Sequence, residues 1–484
     1  MAQRDNAMGW QFDNSYSRLP DALFARQQPV AVRAPKLVVL NDQLAQDMGL
    51  HVSALLSDEG IAVLAGNDVP VGAEPIAQAY AGHQFGGFTM LGDGRAVLLG
   101  EHSMPDGMRV DVQLKGSGRT PFSRSGDGRA ALGPMLREYI MSEAMHALGV
   151  PSTRSLAVVS TGEAVLRETP LAGAILTRVA ASHIRVGTFE YVAMQGDDAL
   201  LKALADYTIA RHYPTLDGEA VYALFLDAVM ERQAALIAKW QMVGFIHGVM
   251  NTDNMALSGE TIDYGPCAFM DRYDPATVFS SIDRHGRYAF GNQPPIAQWN
   301  IMRFAEAILP LLHPEQAQAI AIAQAVINRF PAVYDGYWLT GMRAKLGLFH
   351  AEAEDMPLIA SLLAWMQSSG ADYNYSFRAL HPDVVPADYG VDFAQWHARW
   401  RARLSRQAEE TKQVVDMMHA HNPAVIPRNY FMEEALEAAV VQGDMSVMHR
   451  LLDAIQHPYQ AQDAFNRYHT PAKDMPDYQT FCGT

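Results

Sequence analysis

The stretch HGVMNTDNMALSGETIDYGPCAF, residues 247–269, constrains the fold more than any other part of this chain. It carries His247, Asn254, Asp263 and Gly265 at fixed intervals. Asn254 and Asp263 are separated by MALSGETI, a length that can turn back as a hairpin and aim two oxygen donors at one ion. Asx turns at the two positions are the plainer alternative. The surroundings decide how such a loop is carried. Up to about residue 190 the chain is rich in short β-type runs bounded by turn residues: KLVVL (36–40), AVLLG (96–100), RVDVQL (109–114), SLAVV (155–159), EAVLRE (163–168) and GAILTRV (173–179). One helical pattern interrupts them at 131–149, where Leu136, Ile140, Met141, Ala144 and Leu148 recur at helical spacing. After about residue 195 the character is helical. A long pattern at 219–244 leads into the opening stretch, and others follow at 297–312, 314–329, 355–368, 391–419 and 430–441, with Pro294-Pro295, Pro310 and Pro331 read as joints.

A strand-rich segment with one helix, then a helical segment beginning with a His/Asn/Asp loop, is the order of a bilobal protein kinase. The expected class is α+β: a strand-rich N-lobe at 1–190, a helical C-lobe at 191–390, and a helical extension with a tail at 391–484. A kinase catalytic loop runs His-x-Asp, four residues, Asn, followed by Asp-Phe-Gly. Asp263-Tyr264-Gly265 fits the last motif, but Val249 stands where the catalytic Asp belongs. Asp253, beside Asn254, is the carboxylate that can replace it.

Other parts of a nucleotide site are present. No Gly-x4-Gly-Lys-Ser/Thr loop occurs. GDGRAA (126–131) fits the weak dinucleotide fingerprint, yet PFSRS precedes it rather than an apolar strand, so the Rossmann reading is rejected. LGDGRAVLLGE (91–101) is better placed, with Gly92 and Gly94 turning into an apolar strand. Lys115 ends an alternating strand, where kinases keep a phosphate-touching lysine paired to a helical glutamate. Glu138 and Glu143 are its two candidate partners, Glu138 lying nearer the expected place. The loop KGSGRTPFSRSGDGR (115–129) adds Arg119, Arg124 and Arg129 against one acid, Asp127, and reads as an anion site or a solvated face.

The whole chain of 484 residues has a net charge of −16, which argues against a nucleic-acid surface. No apolar run approaches the roughly 18–20 residues of a membrane span. The first thirty residues suit neither a secretory signal nor a transit peptide, so a cytoplasmic protein is expected. Two cysteines, Cys267 and Cys482, exclude a disulfide-stapled fold or a cysteine-rich zinc site. The tail after Pro458 reads as surface-lying, NPAVIPRN (422–429) as a capping joint at Arg428 and Asn429, and Trp396 with Trp400 as core.

With YAGHQFGGFTMLGDGRAVLLGE (80–101), QLKGSGRTPFSRSGDGRAALG (113–133), HGVMNTDNM (247–255), DYGPCAFMD (263–271) and NPAVIPRN in place, the chain resembles the selenoprotein O family of kinase-like proteins over nearly its whole length. The resemblance implies transfer of AMP from ATP to hydroxyl side chains of protein substrates, redox-related ones among them, with the nucleotide held reversed. It implies that Gly92, Gly94, Arg95, Lys115, Asp127 and Gly128 meet ATP and that Arg178 and Arg185 grip its inner phosphates. Asn254 and Asp263 would hold Mg2+, with Mn2+ as an alternative ion, and Asp253 would accept the proton. Relatives with selenocysteine carry it near the C-terminus, at the position of Cys482, which suggests a reversible Cys267–Cys482 disulfide. An ordinary phosphotransferase and an inactive ATP-binding scaffold are the competing expectations.

Overall fold

The computed structural model describes residues 7–386, 389–471, 475 and 478–481. The β-type runs become β1 (Phe24–Arg26), β2 (Lys36–Leu40), β3 (Ile76–Gln78), β4 (Ala81–Gln84), β5 (Gly87–Met90), β6 (Ala96–Ser103), β7 (Arg109–Lys115), β8 (Ala130–Ala131), β9 (Arg154–Leu166) and β10 (Pro170–Ala180). Eight of these form one sheet in the order β1-β3-β6-β7-β10-β9-β2, with β8 against β10, while β4 and β5 pair as a separate hairpin. SLAVV and EAVLRE, read as two strands, are a single β9. The turn-like residues between them make a bulge rather than a break: β10 pairing jumps from Ala172 to Ala174, and Gly162 takes φ +69°.

The sheet is covered on both faces, as period-two alternation requires. Leu99, Val112, Leu114 and Ile175 pack into a core with Leu44, Leu55 and Leu64 from short helical turns near the N-terminus. Leu98, Val158 and Leu176 point the other way, into a larger core with α1 (Leu132–Ala147). Lys115, Gln113 and Arg178 have the parity of that second face, so their polar ends meet α1 and what lies beyond it.

The helical part includes α2 (Val186–Ala193), α3 (Asp198–His212), α4 (Val221–Val243), α5 (Gln293–Ala307), α6 (Gln316–Lys345), α7 (Asp355–Ser369), α8 (Tyr373–Ala379), α9 (Gly390–Leu404), α10 (Thr411–His421) and α11 (Asn429–Glu437). Of the expected joints, Pro294-Pro295 marks the start of a helix and Pro331 marks no break. Pro294 and Pro295 sit in the first turn of α5, where the missing amides would have no partner anyway. Pro331 lies inside α6, and Gln298 Nε2 donates 3.1 Å to the Ile327 carbonyl, which lacks an amide from position 331. Conversely, 391–419 is two helices, α10 restarting at a Glu410–Gln413 capping box. Trp396 and Trp400 are buried and stacked 5.6 Å apart. No helix among the described residues is long and apolar enough to cross a membrane.

The tail lies over the surface as expected, its described residues after Pro458 being exposed or half-buried apart from two. Tyr468 and Thr480 are buried. Thr480 donates through its amide to the Phe279 carbonyl (2.8 Å) and through Oγ1 to the Pro266 carbonyl (2.7 Å), which seats the tail against the 263–269 segment. Cys482 lies outside the described residues.

Candidate functional site

The helix α4 stops at Gly244, whose φ of +72° needs no Cβ to be tolerated. The chain then enters β11 (Phe245–Ile246), which pairs antiparallel with β12 (Ala268–Phe269), so residues 247–267 form a closed loop on a two-stranded stem. His247 fastens that loop internally. Its buried ring stacks on Trp240 (5.4 Å) and Nε2 donates 2.8 Å to the Ile262 carbonyl, just before Asp263. Asp263 has φ +61°, a left-handed turn that points the chain back toward Gly265, whose amide bonds the Asp263 carbonyl at 2.7 Å. Asn254 Nδ2 donates 3.0 Å to the Val249 carbonyl, which leaves its side-chain oxygen available to a cation.

Three cations converge on Asp263. Lys115 Nζ is 3.2 Å from Oδ1, Arg178 Nη1 is 2.5 Å from the same oxygen, and Arg185 Nη1 is 3.2 Å from Oδ2. Burial alone would raise the Asp263 carboxyl, but Arg178, Arg185 and Lys115 hold it well below the usual carboxylate range. Glu138 is the second anion of the cluster, 2.6 Å from Lys115 Nζ and 3.3 Å from Arg178 Nη1. Glu143 is engaged elsewhere, with Arg154 at 2.7 Å and Asn41 at 2.7 Å. Arg178 also donates 2.6 Å to Gln113 Oε1, and Arg185 lies 4.3 Å over the Tyr80 ring. The Nε atoms of both arginines are buried without an acceptor among the described residues.

Asp253 sits above this cluster in a different environment. Its side chain is buried, the residue being 7% exposed, and Oδ1 has no hydrogen-bond partner among the described residues. Burial pushes its carboxyl up to about 6, against the pull of Arg185. The space it fills exists because residue 82 is glycine: a Cβ there would collide with Asp253 Oδ1, Cγ and Cβ. The β4–β5 hairpin carrying Gly82 is pinned to the same loop. The His83 amide donates to Thr252 Oγ1 (2.7 Å), the Phe85 amide to Asn251 Oδ1 (3.0 Å), and Tyr288 Oη to the same oxygen (2.5 Å).

The opposite wall is the turn Gly92-Asp93-Gly94 and the loop after Lys115. Gly92 and Gly94 are required by packing. A Cβ on Gly92 would strike the Phe122 ring, and one on Gly94 would crowd the Phe122 carbonyl. Gly128, at φ +70°, lies against Gly118 with no room for a side chain. Asp127 is paired with Arg167 at 2.9 Å at the rim. Together these walls enclose a cleft of about 490 Å³. It is lined by Gly92, Gly94, Arg95, Lys115, Asp127, Gly128, Arg178, Arg185, Asp253, Asn254 and Asp263. Glu138 stands behind Lys115, and Cys267 is buried next to the lining residue Pro266.

Sequence reasoning missed several contributors. Asp93 lines the cleft with its carboxyl raised to about 6 by burial, its Oδ2 accepting from the Gln78 amide (3.0 Å) and Gln113 Nε2 (3.2 Å). Tyr80, Gly82 and Asn251 were also passed over. The density of glycine and aromatics in YAGHQFGG was the available signal, but nothing local in it points to residue 253. Arg428 is more than a cap: it pairs with Asp271 (2.7 Å) and Asp372 (2.6 Å), bracing the chain beyond β12.

No group of three or more His, Cys, Asp or Glu side chains among the described residues could hold a metal ion. The oxygen pair Asn254 and Asp263, on one cleft with room for a triphosphate, suits Mg2+, which takes few protein ligands and completes its shell with phosphate and water.

A family model described as "Protein adenylyltransferase SelO" matches residues 6–456. Curated relatives agree over full length. The chain is 62% identical over 481 residues to protein nucleotidyltransferase YdiU of Brevibacillus brevis, covering 98% of each protein. It is 62% identical to the protein of that name in Anoxybacillus flavithermus (98% and 99% covered), and 59% identical to that of Geobacillus kaustophilus (98% and 99% covered).

Proposed function

This chain belongs to the SelO family of protein adenylyltransferases, and on that premise we propose that it moves AMP from ATP to a hydroxyl side chain of a protein, in a kinase-like site with a displaced base. One observation carries the reading. Position 249, where a kinase has its carboxylate, is a valine 6% exposed on the cleft, while Asp253 lines the same cleft with a carboxylate whose inner oxygen, Oδ1, is packed against Gly82 and has no partner among the described residues. Asp93 shares the cleft, but its Oδ2 is already bonded to the sheet.

In the proposed reaction the acceptor oxygen attacks the α-phosphorus. The new P–O bond forms as the bond to the α,β-bridging oxygen breaks, pyrophosphate leaves, and the hydroxyl proton passes to the Asp253 carboxylate. A group with a carboxyl near 6 is ionised at neutral pH and still basic enough to take that proton. Arg178, Arg185 and Lys115 form a preorganised cationic floor, which suits β- and γ-phosphates entering first; paired guanidinium donors hold such oxygens through charge-assisted bonds. Glu138 keeps Lys115 extended toward them. Arg95, with Asp127 and Gly128 on the opposing loop, would meet the outer part of the nucleotide. Mg2+, or Mn2+ in its place, would be held by Asn254 and Asp263 and would neutralise charge on the triphosphate. In this reading the sheet-bearing part to about residue 190 and the helices at 191–390 act as two lobes around the cleft, with 391–484 as an extension. The protein works in the cytoplasm. The Thr480–Pro266 contact supports a redox link between Cys267 and Cys482, to be sought by mass spectrometry of unreduced peptides.

The test is ATP labelled at either the α or the γ phosphate, with label on protein as readout. α-Label is expected. γ-Label would mean an ordinary phosphotransferase, and nucleotide binding with no label on any protein would mean a scaffold.

A further inference from the structure

A second groove, about 560 Å³, opens beside the nucleotide cleft and shares two of its lining residues, Phe85 and Ile282. Both are large, apolar and exposed, at 40% and 50%. Phe85 sits at the tip of the β4–β5 hairpin with φ +50°, its ring 5.3 Å from Tyr288 and its amide bonded to Asn251, two residues before Asp253. The apolar rim is thus fixed to the loop that bears the proposed base.

The far wall is basic in a protein whose net charge is −16. Arg284, His285 and Arg287 line it, Arg284 and His285 being exposed. Its one acid, Asp283, is buried and turned inward, its two oxygens accepting from the backbone amides of Arg287 (2.9 Å) and Tyr288 (2.7 Å). Arg287 is held 4.8 Å over the Trp299 ring, and its Nε is buried without an acceptor among the described residues. A flat guanidinium fixed on an indole, beside the exposed Arg284 and His285, makes this wall suited to an anion.

From this we infer that the groove seats the protein substrate, and that its occupant is an acidic segment flanking the acceptor hydroxyl. The apolar rim would hold the residue next to the acceptor as the chain passes from the groove to the mouth of the cleft. Asp or Glu side chains would lie against Arg284, His285 and Arg287. The inference rests on the AMP-transfer reading for its purpose, but the groove's charge preference is independent of it.

The experiment uses fluorescent synthetic peptides that differ only in whether glutamates or lysines flank a cluster of Ser, Thr and Tyr. Binding to the full chain is followed by polarisation, and α-label transfer to each peptide is measured in parallel. The glutamate peptide should bind about tenfold or more tighter, with affinity falling as salt rises. The double variant Arg284→Glu, His285→Glu should abolish or invert that preference without altering ATP affinity, which reports an intact fold. Equal binding of the two peptides, or an unchanged preference in the variant, would overturn the groove assignment. Preferential glutamate-peptide binding with no α-label transferred would leave the groove standing and count against the transfer reading instead.

Discussion

Asp111 and Asp253 are both buried aspartates beside arginines, and their surroundings shift their carboxyls in opposite directions. Asp111, 1% exposed on β7, has its oxygens met by Arg211 Nη2 (2.6 Å) and by the amide and Nδ1 of His183 (2.9 Å each). Burial would raise its carboxyl, but Arg211 and His183 outweigh that and hold it below the usual range. Asp253 is nearly as buried, yet Oδ1 has no partner and burial wins, lifting the carboxyl to about 6. The first arrangement ties β7 to α3 and has nothing left to offer. The second leaves proton affinity unused, on the wall of a cleft. Burial does not distinguish structure from chemistry here; satisfied hydrogen bonding does.

The contrast predicts opposite consequences for the same substitution. Asp253→Asn should lower transfer by roughly 10²–10⁴-fold, the usual worth of a positioned base, while leaving ATP affinity intact. Its Tm at neutral pH should be equal or higher, because a raised carboxyl pKa costs stability above that pKa and the cost fades as pH falls from about 6 toward the unfolded value. Asp111→Asn should cost roughly 1–3 kcal/mol, because Arg211 loses one of its two buried carboxylate partners and keeps Glu101 at 2.8 Å, seen as a drop in Tm or in denaturation midpoint. Molecules that remain folded should keep their turnover. The Asp111 contribution is fully present above the unfolded carboxylate range and is lost as pH drops through its lower folded value. Acid titration of the two variants against the parent should therefore show differences of opposite sign.

Smaller effects sharpen the comparison. Arg185→Gln removes a charge-assisted donor from the cleft floor and should weaken ATP binding by roughly 1.5–3 kcal/mol. AMP should be affected less, as calorimetry with both nucleotides would show; equal losses would argue against phosphates entering first. Gly82→Ala should reduce turnover by about tenfold with little change in ATP affinity, since misplacing a reacting group is costly. The added methyl displaces Asp253 without touching the floor.

Much of this was legible in the sequence because local pattern carried it. The alternation in RVDVQLK placed Lys115 at a strand end, and helical spacing placed Glu138 one face away. The spacing of Asn254 and Asp263 pointed to one shared site and both line the cleft, but the segment between them is no hairpin: Ala256 bridges to Arg185 and Thr261 to Ser152. Choosing Glu138 over Glu143 required the structure, since only contacts show that Arg154 and Asn41 occupy Glu143. The partnering of Gly82 with Asp253 spans 171 positions, and no local rule encodes a cavity made by one glycine for a distant carboxylate. The misread joint has a similar cause: Pro331 is tolerated because Gln298, on another helix, supplies the missing donor. Local punctuation was overruled by tertiary hydrogen bonding.

The central claim is that Asp253 has replaced a base at position 249, and single-turnover transfer of α-labelled AMP across pH tests it most directly. The parent should lose rate on the acid side, through a limb near 6, and Asp253→Asn should be slow throughout with that limb gone. An Asp253→Asn protein that transfers α-label at the parental rate, or keeps the same acid limb, would contradict the account.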